Sequence, residues 1–141
     1  MSFASPNSAA TYAKVGLETS VAAADPHRLI LMLFDGALLA IATAENALQQ
    51  GRVADKGRAI SRAMDIVSSG LRASLNFSAG DELPNRLAAL YDYMIARLVH
   101  ANLHNDPAAL KEVSRLLGEI KSAWEEIADD PAVASRNKIA A

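Results

Sequence analysis

Between Leu29 and Ile41 the chain is almost continuous hydrocarbon, broken by Asp35 and Gly36. Leu29, Leu33, Ala37, Ala40, Ala44 and Leu48 recur at steps of three or four, and Ile30, Phe34, Leu38 and Ile41 form a second stripe beside them. An ordinary surface helix needs one apolar stripe of about 100°. This one is apolar over a wider arc and demands cover on two sides. A bilayer is a poor answer, because a span needs about 20 apolar residues without a central charge. Here Asp35 would sit near mid-membrane, with Arg28 close by. A phosphate loop needs several glycines and a Lys before Ser or Thr, and Gly36 has neither beside it. What remains is a helix buried among other helices.

The rest of the chain supplies them. Asp25-Pro26 is a helix start, Asp as N-cap and Pro at the first helical position, and Gly51 is a stop. A second pattern runs from about Val53 to Leu75, with Ile60, Met64, Val67 and Leu71 as its main stripe. After the breaker-rich "NFSAGDELP", a third begins near Asp81 to Pro84 and ends near His104. Its seam of Leu83, Leu87, Leu90, Met94, Leu98 and Ala101 alternates steps of four and three. Asp106-Pro107 then opens a fourth helix carrying Leu110, Val113, Leu117, Ile120, Trp124 and Ile127, a heptad pattern that Asp129-Asp130-Pro131 ends. Helices of about 20–25 residues span roughly 30–37 Å, and short connections make neighbours antiparallel. The expected fold is all-α: an antiparallel up-down four-helix bundle with a short additional N-terminal helical segment. The 141 residues read as one domain, with a flexible leader at 1–8, the short segment at 9–19, a core at 25–128 and a flexible tail at 129–141.

Composition narrows the function. Aromatics are only 5% of a chain that is 51% hydrophobic, which favours helices over sheets. Fourteen basic and sixteen acidic residues are well mixed, so no basic face announces a nucleic-acid partner. Without cysteine there is neither a disulfide framework nor a thiolate metal site. The opening "MSFASPNSAATY" lacks the basic and apolar regions of a signal peptide. The expected location is therefore the cytoplasm, without membrane insertion. Asn76-Phe77-Ser78 is read as a chance glycosylation match.

No constellation for catalysis emerges. His100 and His104 share one helix face, but no Glu follows the first as in a zinc-protease helix, and no Glu-x-x-His marks a di-iron bundle. The adjacent pairs Glu125-Glu126 and Asp129-Asp130 point different ways from a helix. No enzyme activity, cofactor or metal is expected. The alternative reading is a phosphotransfer bundle working through His100, although "RLVHANL" offers no nearby Lys or Gly. The stronger signal is surplus apolar surface: helix 1 has two stripes, and Tyr91, Ile95 and Val99 and separately Tyr93, Ala96 and Leu103 add side stripes to helix 3. A compact bundle that buries everything fits this pattern, and so do grooves left for a partner helix or peptide.

The words "YAKVGLETSV", "PHRLILMLFDGAL", "YDYMIARLVHANLHND" and "SAWEEI" occur in that order from about Ala10 to Ile127. As an ordered set they resemble the flagellar secretion chaperone family, FliS. The resemblance implies a small antiparallel bundle that binds the disordered C-terminal segment of flagellin in the bacterial cytosol, prevents early polymerisation and assists delivery to the flagellar export gate. It also matches Tyr12 to a family tyrosine whose neighbourhood lies over a client groove, so that the leading segment would act as a detachable cover. With it, the expected partner-binding residues are Tyr12, Ile60, Met64, Val67, Leu71, Tyr93 and Met94. Each helical one of these also fits plain core. For Asp35-Gly36 a structural role is preferred over client contact. Phe34 stands where the family commonly has Tyr, Phe3 is the aromatic nearest the start, and Gly80-Asp81 with Pro84 replaces a common Gly-Gly.

Overall fold

The structure is a computed structural model that describes residues 25–78 and 80–128. Among these residues the chain forms α1 (Pro26–Gln49), α2 (Val53–Asp65, continuing through Ile66–Leu71 and Arg72–Ser74), α3 (Glu82–His104) and α4 (Pro107–Ala128). The short N-terminal segment expected at 9–19, the leader and the tail lie outside the described residues. Ile30–Glu126 make up the compact body, and residues 25–29 and 127–128 belong to a second compact unit.

The helix ends follow from local chemistry. The Arg28 amide donates to Asp25 Oδ1 at 2.7 Å, satisfying one of the donors that a helix start leaves over. At the far end Gly51 takes φ 73°. There the Arg52 amide reaches back to the Ala47 carbonyl at 2.8 Å, and the Gly51 amide to Leu48 at 3.2 Å. This pairing closes a helix on a left-handed residue that glycine adopts without steric cost. α3 is capped by Asp81, whose carboxylate accepts from the Leu83 amide at 3.3 Å, and α4 by Asp106, which accepts from Ala108 at 3.0 Å. α3 ends on Asn105, left-handed at φ 49°.

Side-chain contacts give the order of the helices. Lys56, near the start of α2, reaches Asn102 and Asn105 at the end of α3, so these two run antiparallel. Arg72 at the other end of α2 grips Asp92 of α3 through Nε at 2.7 Å and Nη2 at 3.2 Å. Arg97 of α3 donates to Glu112 of α4 at 2.7 Å across the next hairpin. Lys121 of α4 meets Asp35 of α1 at 2.7 Å. The bundle is therefore up-down-up-down, each helix beside its neighbours in sequence and α4 returning to α1. All four contribute to one core, among them Phe34, Ile41, Ile60, Leu71, Met94, Leu98, Leu110 and Leu117.

By length and mean hydropathy α1 would pass for a membrane span. Its place explains the composition instead: Phe34, Ala37, Ile41 and Ala44 are sealed in the core while Asp35 is ion-paired at the surface. The second helix differs from expectation in one respect. The pattern predicts a single regular helix to Leu75, but Ile66–Leu71 is a π-helical stretch and Arg72–Ser74 a 3-10 turn. Ser68, Ser69 and Gly70 are weak helix formers, so the ladder widens here at small cost. α1 also packs against Gly70. A Cβ there would lie 3.0 Å from Leu33 Cδ2.

Lys56 is the one buried ammonium in the described body. Its Nζ donates to the Asn102 carbonyl at 3.0 Å and to Asn105 Oδ1, closing the C-terminus of α3. Lys56→Met should cost about 1–3 kcal/mol in urea unfolding, because two hydrogen bonds and a helix closure go together. The same change at exposed Lys111 should stay within about 0.5 kcal/mol. Ala44, fully buried between helices, allows no growth. Ala44→Leu should lower stability by about 1–3 kcal/mol through overpacking, measured in the same experiment.

Candidate functional site

The expected partner-binding residues fall into different places. Ile60, Val67, Leu71 and Met94 are at most 2% exposed and belong to the shared core. Met64 is half-buried, and Tyr93 is 43% exposed. Tyr12 lies outside the described residues. The six described members of the set thus do not all reach one surface. What a periodic stripe selects first is the inward face, and only its edges reach the surface.

Met64 opens into a trough between α2 and α3, lined with Ser61, Asp65, Ser68 and Ile95 and about 320 Å³ in volume. The trough lies over the junction where α2 turns π-helical, and Ser68 belongs to that wider stretch. Such π-turns recur at functional sites because they displace side chains from the regular helical register. Ile95 was visible in the sequence as part of a side stripe of α3, yet its pairing with Met64 needed the antiparallel register of α2 and α3. Further along α3, Val99 and Leu103 are exposed, Leu103 at 73%. At one end of the bundle a second, more enclosed apolar pit of about 90 Å³ is lined by Ile30, Phe34, Leu75, Leu87, Ile120 and Trp124 among others. Neither hollow gathers groups for acid–base or nucleophilic chemistry.

Two of the three histidines, His100 and His104, lie near the α3–α4 turn. His100 Nε2 lies 3.2 Å from Asp106 Oδ2, and the His100 and His104 rings are 4.6 Å apart, tilted by 44°. Asp106 is also the cap of α4, so His100 braces the helix start. Among the described residues no three His, Asp or Glu side chains converge as a metal ion would need.

Tyr93 sits on the other flank of α3 and faces α4. Its hydroxyl donates to Glu112 Oε2 at 2.6 Å, and Arg97 Nε donates to Oε1 of the same carboxylate. The Tyr93 hydrogen bond, then that of Arg97, hold the Glu112 carboxyl below its ordinary value, and the same bond raises the Tyr93 hydroxyl. Burial pushes its neighbour Tyr91 up to about 12. Because the folded-state value of Glu112 is depressed, its contribution is fully present above the ordinary glutamate pKa of 4.5 and is lost as pH falls below that through the folded value. Parent and Glu112→Gln should therefore differ in melting temperature at neutral pH, and the gap should narrow on acidification below 4.5. A gap that is constant with pH would remove the carboxylate from this account.

This geometry, a helical bundle with two surface hollows and, among the described residues, no metal-binding cluster, can be set beside known proteins. The family model "Flagellar protein FliS" matches residues 8–131. The flagellar secretion chaperone FliS of Salmonella typhimurium is 49% identical over 116 residues, covering 82% of this chain and 86% of that protein. FliSB of Pseudomonas aeruginosa is 46% identical over 116 residues, covering 82% and 91%, and FliS of Escherichia coli is 44% identical over 115 residues, covering 82% and 85%. These relatives carry the name of a chaperone and not of an enzyme. The chain belongs to the FliS family of flagellar secretion chaperones.

Proposed function

We propose that the protein is a cytoplasmic export chaperone that binds the disordered C-terminal region of flagellin, prevents its premature polymerisation and assists its delivery to the flagellar type III export apparatus. The observation that carries this reading is the α2–α3 trough: Met64 and Ile95 present apolar surface in a hollow that the four helices leave uncovered. An amphipathic client segment that orders only on contact loses conformational freedom there, which burial of its apolar face offsets. The captured face is then hidden from other copies of the client. No bond is made or broken, so neither a cofactor nor hydrolysis is required. Met64 acts directly in this reading, Tyr93 would extend client contact to the α4 flank of α3, Ile60, Val67, Leu71 and Met94 support the wall from within, and Tyr12 belongs to a segment that covers the groove.

Titration calorimetry with a flagellin C-terminal peptide tests the proposal. Binding should show a negative heat-capacity change and little dependence on salt, as apolar burial requires. Met64→Asp and Ile95→Asp should each weaken it at least about tenfold, or about 1.4 kcal/mol, with the fold intact. Ile60→Ala should instead lower stability itself, by about 2–5 kcal/mol. The reading is sunk by a peptide that gives no heat and no shift in melting temperature at tens of micromolar protein.

A further inference from the structure

A second trough runs between the C-terminal half of α1 and the N-terminal half of α2, and its chemistry is different. Its volume is about 380 Å³, and its floor consists of Ala40, Ala47 and Ala59, all buried. Leu39 stands at its wall, 68% exposed, an apolar side chain that the bundle itself does not use. The rim is basic. Arg52, Arg58 and Arg62 line it against the single carboxylate of Asp55, three positive charges to one negative, a surplus of two. The whole chain carries −2, so this surplus is a local arrangement and not a reflection of overall charge.

Arg52 and Arg58 both lean on Asp55, yet their side chains are 62% and 72% exposed. Exposed ion pairs of this kind contribute about 0–1 kcal/mol, so the guanidinium groups exchange partners readily. Arg58 and Arg62 are one helical turn apart, about 6 Å along the face of α2. That is the spacing of two carboxylates on successive turns of another helix. The alanine floor leaves room for a bulky apolar side chain to enter between the two helices, as ridges enter grooves in helix packing. A single-stranded nucleic acid would call for aromatic stacking platforms, and none lines this trough. A bilayer surface would be met by a convex apolar face, whereas this site is a hollow.

We propose that this trough docks an acidic amphipathic helix of a second protein. Its carboxylates, one turn apart, would pair with Arg58 and Arg62, and its apolar side chain would rest on Ala40, Ala47 and Ala59 beside Leu39. The site stands apart from the α2–α3 trough and does not depend on what occupies that one.

The test uses the full chain and a labelled probe peptide with leucines on one helical face and glutamates flanking them one turn apart. Fluorescence anisotropy should show saturable binding that weakens at least about tenfold as salt rises across the Debye-screening range, from roughly 50 to 300 mM. The double substitution Arg58→Glu with Arg62→Glu should weaken binding at least about tenfold, since it turns attraction into repulsion. A matched control, Arg86→Glu with Arg115→Glu, makes the same charge change at exposed arginines outside the trough and should leave affinity within about twofold. Melting curves establish that each variant is folded. The proposal is overturned if both double variants weaken the probe equally, or if a probe with glutamine for glutamate binds as well. It is equally overturned if anionic vesicles or single-stranded DNA are held through Arg58 and Arg62 while the peptide is not. Loss of flagellin-peptide binding in the Arg58→Glu, Arg62→Glu variant would make the two troughs one site, and the inference of a second partner would fail. Retention of flagellin-peptide binding in that variant, with loss of the acidic probe, is the expected result.

Discussion

Alanine governs how closely the first helix approaches its neighbours. Ala37, Ala40, Ala44 and Ala47 lie along α1 at spacings of three and four, and none is more than 5% exposed. Opposite them α2 presents Ala59 and Ala63, both buried. Such a seam adds little transfer free energy per residue, but alanine loses no side-chain entropy on burial and lets helix axes come toward the short end of the 8–10 Å range. The longer side chains do the filling: Phe34 and Ile41 from α1 meet Ile60 and Leu71 from α2 and the apolar seams of α3 and α4. The same smallness leaves the valley between α1 and α2 shallowly open on its outer side, where Leu39 and the arginines stand. Close packing inside and a hollow outside thus have one cause.

Around this core the polar contacts differ widely in weight. Arg86 with Glu82 and Arg115 with Glu119 are exposed one-turn pairs, and their contribution is small. Arg72 holds Asp92 with two hydrogen bonds between helices, which fixes the soft end of α2 against α3 although both side chains face water. Lys56 is different because it is almost completely buried. Two neutral oxygens, one from the backbone of Asn102 and one from the left-handed Asn105, replace its water. A burial of this kind is stable only while every partner stays in place. It couples the start of α2 to the end of α3 more tightly than any surface pair could.

Much of the scaffold was legible because its signals are local. Asp25-Pro26, Gly51 and Asp106-Pro107 state where helices begin and end without reference to anything distant. The antiparallel order followed from short connections. The widening of α2 at Ile66–Leu71 was not legible, since apolar spacing fixes which side chains face inward and not how the backbone ladder closes. Val67 and Leu71 remain buried either way. The expected partner-binding residues are divided between core and surface for a related reason. Ile60, Val67, Leu71 and Met94 carry the strongest periodic signal, and that signal belongs to the core; Met64 and Ile95, at the edges of their stripes, become neighbours only once α2 and α3 are set in register. The basic trough was invisible in one dimension, because Arg52, Arg58 and Arg62 gain meaning only over a floor supplied by α1.

A chaperone of this build faces a mechanical constraint: a hollow able to receive a foreign segment must not be the place where its own core opens. In the reading proposed above the two requirements are separated along α2. Its inner face, through Ile60, Ala63 and Val67, is sealed against the other helices. Its outer edge carries Met64 and Ser68, beside and within a π-helical stretch. A flexible thioether next to a soft backbone suits a surface that must fit side chains of varied shape, since methionine adapts where a branched residue would not. On this argument the adaptable part of the trough is the Met64 side chain at the edge of α2, and the rigid part is the sealed inner face behind it.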